Sequence, residues 1–164
     1  MSRALTILSL SLLLASGVRS AAWGAPSGVS HMTSLQFMVG TWSCTNVIGS
    51  LTITESISIV AQNSHWLHGS GSRTVHGPSI GEDFYIGYDT DQARWVIVGV
   101  DASGVYNVAT SATPTLSPSN WIEAYPGSDA KGVFTQNSSS QYTMDTTWTE
   151  NGHPMSSNEV CTKS

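Results

Sequence analysis

Glu55 is the residue whose type and position point most directly to chemistry. Leu51, Ile53, Ile57 and Ile59 fall at every second position around it, with Thr52, Thr54, Ser56 and Ser58 between them. A period of two belongs to a strand with one buried face. Glu55 shares the face of the four aliphatics, so its carboxylate is expected to point inward. An unpaired carboxylate out of water either finds a partner or is held protonated by a raised pKa. Two roles are open to it. It could bind a ligand's amine or hydroxyl, or move a proton as a general acid or base. Alternatively it is structural, hydrogen-bonded to a buried Tyr or Trp, to His68 or to Arg73.

The other chemically able residues form no recognisable constellation. His65 and His68 are three apart on one expected strand and so face opposite sides, which rules out a two-histidine metal clamp. Only one of them can enter the interior, and His68 is retained as a candidate ligand contact. Cys44 and Cys161 have no second Cys or His at ligand spacing, and no metal site is expected. Asp89, Asp91 and Asp101 fall in turn-like segments, where Asp caps backbone amides. There is no Gly-x-Ser-x-Gly elbow and no phosphate-cradling glycine loop. The aromatic supply is large. Tyr142, Met144 and Trp148 share one strand parity, as do Trp121, Glu123 and Tyr125, and either set could be an inner face. With Glu55 and His68, the residues Tyr85, Tyr106, Trp121, Met144 and Trp148 complete the candidate ligand contacts.

These residues need strands to position them. After a short helical stretch at Ser30–Met38, closed by Gly40, the period of two persists to the end of the chain. Strands are expected at Thr41–Val47, Leu51–Ile59, Ser64–Val75, Glu82–Tyr88, Ala93–Val100, Val105–Ala112, Asn120–Tyr125, Lys131–Gln136, Gln141–Glu150 and His153–Thr162. Turn residues separate them, and Asn151-Gly152 is the strongest hairpin signal. Successive hairpins predict an all-β, antiparallel up-and-down β-barrel of about ten strands, because closure removes exposed edges. A two-sheet sandwich is the alternative. If the first and last strands are neighbours, Cys44 and Cys161 can meet in a disulfide.

The first residues read as a secretory signal peptide: Arg3, the uncharged apolar run from Ala4 to Ala15, then small residues up to Ser20. Residues 1–20 are therefore expected to be a leader, 21–29 a linker and 30–164 the barrel domain, exported to a periplasmic or extracellular space. Without the leader, the basic residues are Arg73, Arg94, Lys131 and Lys163, against 11 acids in the chain. That balance disfavours nucleic acid and anionic lipid, so no nucleic-acid partner and no membrane association after leader cleavage are expected. The protein is expected as a monomer or homodimer.

The chain resembles a known group. Leu35-Gln36-Phe37-Met38-Val39-Gly40-Thr41-Trp42 is followed in order by Thr54-Glu55-Ser56-Ile57, His65-Trp66-Leu67 and Tyr85-Ile86-Gly87-Tyr88-Asp89. Then come Arg94-Trp95-Val96, Asp101-Ala102-Ser103-Gly104-Val105-Tyr106 and Glu159-Val160-Cys161-Thr162-Lys163. The ordered set is similar to the bacterial lipocalin-like (calycin) proteins called domain of unknown function 1579. The resemblance implies a calycin barrel with a short helix near one mouth, and supplies no catalytic residues. Gly40-x-Trp42 is also similar to the first-strand Gly-x-Trp of lipocalins, which implies a packing role for Trp42. Nitrobindin-like haem barrels start similarly, but their glycine-rich continuation after the Trp is missing, so no cofactor is expected. Three functions compete: a barrel binding a small apolar or aromatic ligand, a small enzyme of isomerase, lyase or cyclase type using a buried carboxylate, and a filled structural barrel with no ligand.

Overall fold

In a computed structural model the described residues are 31–164; the expected leader and linker lie outside them. Ten antiparallel strands close into a barrel in which each strand pairs with its sequence neighbours, and the last returns to the first. They are β1 Gly40–Ile48, β2 Leu51–Ala61, β3 Trp66–Thr74, β4 Ser79–Asp89, β5 Arg94–Asp101, β6 Tyr106–Ser111, β7 Ser119–Tyr125, β8 Lys131–Ser138, β9 Gln141–Glu150 and β10 His153–Lys163. The expected strands recur with shifts of a residue or a few at their ends. The Asn151-Gly152 turn has positive φ at both residues (51° and 79°), as the tightest right-twisting hairpin requires.

Helix is confined, among the described residues, to α1 (His31–Leu35) and one 3₁₀ turn, Gln36–Met38. Met32, Leu35 and Met38 recur every third residue and are all buried. This short plug closes one end of the barrel. The Trp42 indole N–H donates to the Met38 carbonyl at 2.6 Å, and Lys163 Nζ donates to the Phe37 carbonyl at 2.9 Å while lying over the Trp42 ring. Trp42 is fully buried, in tilted contact with Tyr142 and edge-on to Phe37. The structural role expected for Trp42 is the one observed.

The seam of the barrel is β1 against β10. Cys44 is directly opposite Cys161 in that register, and the two form a disulfide with Cα atoms 4.0 Å apart. The bridge spans a sequence separation of 117 residues.

The strand register determines which residues see the lumen. On β1 and β2, Trp42, Cys44 and Asn46 face inward, as do Ile53, Glu55, Ile57 and Ile59. On β3 the inward positions are Leu67, Gly69, Gly71 and Arg73. Gly69 has a steric role: a Cβ there would stand 2.1 Å from the Phe84 ring, so the ring crosses the strand only over a glycine. On β4 the inward series is Glu82, Phe84, Ile86 and Tyr88.

Candidate functional site

The lumen is not filled. A cavity of about 490 Å³ occupies the end of the barrel away from the helix, in the size range of small-molecule pockets. Its deep wall is apolar, formed by Met38, Ile57, Ile86, Ile97, Leu116, Trp121, Phe134 and Met144. Val105, Tyr106 and Pro126, from the hairpin ends of β5–β6 and β7–β8, lie at its mouth.

Above the apolar floor runs a polar belt. It can be followed strand by strand: Glu159 on β10, Glu55 on β2, Arg73 on β3, Glu82 on β4, Asp101 on β5, Asn107 on β6 and Glu123 on β7, all lining the cavity. Register links them. Glu55 opposes Arg73, Glu82 opposes Asp101, and Glu159 opposes Met144. Between β10 and β2, Asn46 on β1 opposes Glu159.

Glu55 faces the lumen, as its strand pattern predicts. The expected hydrogen-bond donor does not engage it. Arg73, opposite it, instead donates from Nη2 to Asp101 Oδ2 at 2.8 Å. Asp101 also accepts the backbone N–H of Ser103 at 2.9 Å and of Val105 at 3.2 Å, and the Ser103 hydroxyl. It is thus the turn cap expected and also an anchor for Arg73. The Ser103 hydroxyl is the main reason its carboxyl lies below the usual range. Asp89 is likewise a cap, accepting the N–H groups of Asp91 and Gln92.

With Arg73 turned toward Asp101, the remaining carboxyls are undercompensated. Burial, then repulsion from Glu82, pushes the Glu55 carboxyl up to about 7 against the opposing pull of Arg73. Burial, then repulsion from Glu55 and Glu82, pushes Glu159 up to about 8. Glu82 is also raised, chiefly by burial. The Tyr142 phenol is held neutral, raised by burial and then by Glu159, Glu55 and Glu82. Glu159 Oε1 lies 3.1 Å from Cys161 Sγ. A disulfide sulfur carries no hydrogen, so any hydrogen bond there is donated by the protonated carboxyl.

The candidate residues read from sequence divide. Glu55, Trp121 and Met144 line the cavity. Tyr106 touches its mouth but springs from an outward register position opposite Val100, and it stacks on Tyr125 with ring centroids 4.5 Å apart. Trp148 has lumen parity, opposite Met155, but lies past the last β8–β9 pair. It borders a shallow depression with Lys131 and Pro154 rather than the main cavity. His68 and Tyr85 are corrected outright as lumen residues. They sit opposite one another on the outer face, stacked at 4.7 Å, and His68 Nε2 is 2.9 Å from Asp83 Oδ1. Leu67 and Gly69 take the inward places, and one step in a strand reverses the face.

The two competing parity sets are both inward. Trp121 and Glu123 face the lumen, and so do Tyr142 and Met144. Tyr125 leaves its set because the β6–β7 register shifts between Val108 and Ala109. Ala109 opposes Glu123 while Val108 opposes Tyr125, and the extra residue, Ala124, turns Tyr125 outward. Glu82 and Glu159 were not singled out from sequence. Both carried a signal: Glu82 shares parity with Phe84, Ile86 and Tyr88, and Glu159 with Cys161.

No protein-family model matches the chain, and no curated protein is similar to it. Solved structures share its architecture. The S-type phycobiliprotein lyase CPES from Guillardia theta superposes with a TM-score of 0.55 at 12% identity, covering 82% of this chain and 91% of that one. EF1p2_mFAP2b, solved bound to DFHBI, superposes with a TM-score of 0.50 at 13% identity, covering 83% of this chain and 100% of that one. At such identities the likeness shows the fold, a closed antiparallel β-barrel, and nothing of the chemistry.

Proposed function

We propose that this protein is an exported small-molecule-binding barrel, and that it holds an apolar or aromatic ligand in the lumen. The observation that carries the reading is the open cavity of about 490 Å³, with an apolar floor and a few convergent polar groups. A structural barrel would fill that space, because an unfilled apolar interior forfeits dispersion contacts. One similar barrel was solved bound to the small molecule DFHBI, which agrees with the same use here; the other is called a phycobiliprotein lyase. The buried disulfide and the expected leader agree with an oxidising, exported setting. No helix among the described residues is long and apolar enough to cross a membrane. Membership of the lipocalin-like family named above belongs to the same proposal, as do the bounds of leader, linker and barrel domain.

The test is mass spectrometry of small molecules retained by the natively purified protein, repeated on Ile97→Trp. Ile97 lines the cavity, so the larger ring should fill it. Retention by the wild type and loss in a folded Ile97→Trp protein supports lumen binding. Equal retention by both refutes it.

A second reading is favoured by one observation. A carboxyl pushed up to about 7 and lining the cavity can both give and take a proton near neutrality, which is what a general acid–base catalyst needs. In that case Glu55→Gln would leave ligand retention intact and abolish turnover of the retained compound.

A further inference from the structure

The lumen is rich in acceptors and poor in cations. Six carboxyl residues border the cavity, Glu55, Glu82, Asp83, Asp101, Glu123 and Glu159, of which Asp83 is turned outward to His68. Arg73 is the only Lys or Arg among the described residues that lines it, and its guanidinium is bound to Asp101. Lys163 is held at the closed end by the Phe37 carbonyl. The electrostatic demand of Glu55, Glu82 and Glu159 is therefore unmet within the protein.

Beside this belt lies an unpaired acceptor. Asn46 Oδ1 is buried and has no hydrogen-bond partner. Buried polar atoms are nearly always paired, so an orphaned acceptor asks for a donor. Asn46 is on β1, whose neighbours in the barrel are β10, carrying Glu159, and β2, carrying Glu55. Glu159 and Glu55, the carboxyls of the two strands flanking β1, both line the cavity, whereas Asn46 itself does not. A primary ammonium carries three donors and one positive charge.

We propose that the ligand is a small organic cation, a primary amine on an apolar or aromatic body, with its ammonium taken up by Glu55 and Glu159 and its body laid on the floor near Trp121 and Met144. This rests on the lumen-binding reading above and names its ligand class. Without ligand, Glu55 and Glu159 hold protons because they are buried and, secondarily, because both are repelled by Glu82. Arg73, Glu82 and Asp101 from β3, β4 and β5, and Tyr142 from β9, are the other ionisable groups that face them, with Glu123 across the cavity on β7. An entering ammonium takes over that compensation and expels the protons, so its binding strengthens as pH rises, up to the amine's own pKa.

The test uses calorimetric titration of the oxidised protein with three probes of one shape: 2-naphthylmethylamine, 2-naphthylmethanol and 2-naphthoate. The amine should bind about tenfold or more tightly than the alcohol, and the carboxylate least well. Between about pH 6 and pH 8.5 the amine's affinity should rise about tenfold while the alcohol's stays level. Glu55→Gln and Glu159→Gln, each checked by thermal melting, should shrink the amine's advantage to about threefold or less. Alcohol and amine binding equally, or naphthoate binding best, would overturn the cationic ligand and leave lumen binding standing. Failure of all three probes to bind would overturn both.

Discussion

Raising the pH should loosen this barrel. Glu55 and Glu159 each hold a proton in the folded state well above the pH at which an exposed glutamate loses one. Between about pH 4.5 and pH 8 the folded chain therefore binds more protons than the unfolded chain, and stability must fall as pH rises through that window. Below it both states are protonated; above it both are ionised, and the loss is complete. A carboxyl displaced from 4.5 to about 7 is linked to roughly 3 kcal/mol. The Glu159 contribution shares the repulsion with Glu55, so the two do not add in full, and the pair should remove about 3–5 kcal/mol. For a chain of this size that is a drop of about 10 °C in Tm. The carboxyls of Asp101 and Asp129, held below the usual range, act in the opposite sense, but only at lower pH. Thermal and urea denaturation at about pH 5.5, 7 and 9, at constant ionic strength, reads the effect. Glu159→Gln should melt above the wild type at pH 9 and with it at pH 5.5. A wild-type Tm that is level or rising between pH 5.5 and 9 would refute the buried-carboxyl reasoning, as would a Glu159→Gln profile parallel to the wild type.

Other expectations follow from the same packing. Cys44→Ser with Cys161→Ser opens a loop that closes over 117 residues, and urea unfolding should show a loss of about 5 kcal/mol in the chain-entropy limit; a reductant should then have no further effect on the variant. Gly69→Val forces the Phe84 ring off its strand and should cost about 1–3 kcal/mol by urea midpoint. Trp42→Phe keeps an aromatic ring but removes the donor to the Met38 carbonyl, and should cost about 1–3 kcal/mol with the plug loosened in hydrogen exchange. His68→Ala lies on the outer face and should leave retention of a lumen ligand unchanged, as native mass spectrometry would show.

Most of the architecture was legible because hairpins make it local. Alternation around Glu55 and turn residues at regular intervals are sufficient to place ten strands, and an up-and-down order needs no long-range information. The site was less legible, for two physical reasons. Where both faces of a strand carry mixed residues, parity has no reference. His68 follows Leu67 and precedes Gly69, and only the β2 partner settles that Leu67 is the inner residue. A β-bulge is the other reason. Ala124 breaks the alternation that would have kept Trp121, Glu123 and Tyr125 together, and nothing in its side chain announces the slip. The fate of Arg73 was also beyond reach. Its choice of Asp101 over Glu55 depends on two strands, β3 and β5, being brought together across β4.

The seam between β1 and β10 has a kinetic meaning. Every other strand pair joins sequence neighbours and can zip as a hairpin forms, whereas this pair must find its register after the rest of the chain has been assembled. Until then the nascent sheet has two bare edges that can recruit another chain as readily as each other. Once the two cysteines are oxidised across the seam, opening at that line no longer separates the strands, and the last contact to form becomes the hardest to undo. Such a latch protects the barrel at the seam, where partial unfolding would bare two strand edges to aggregation.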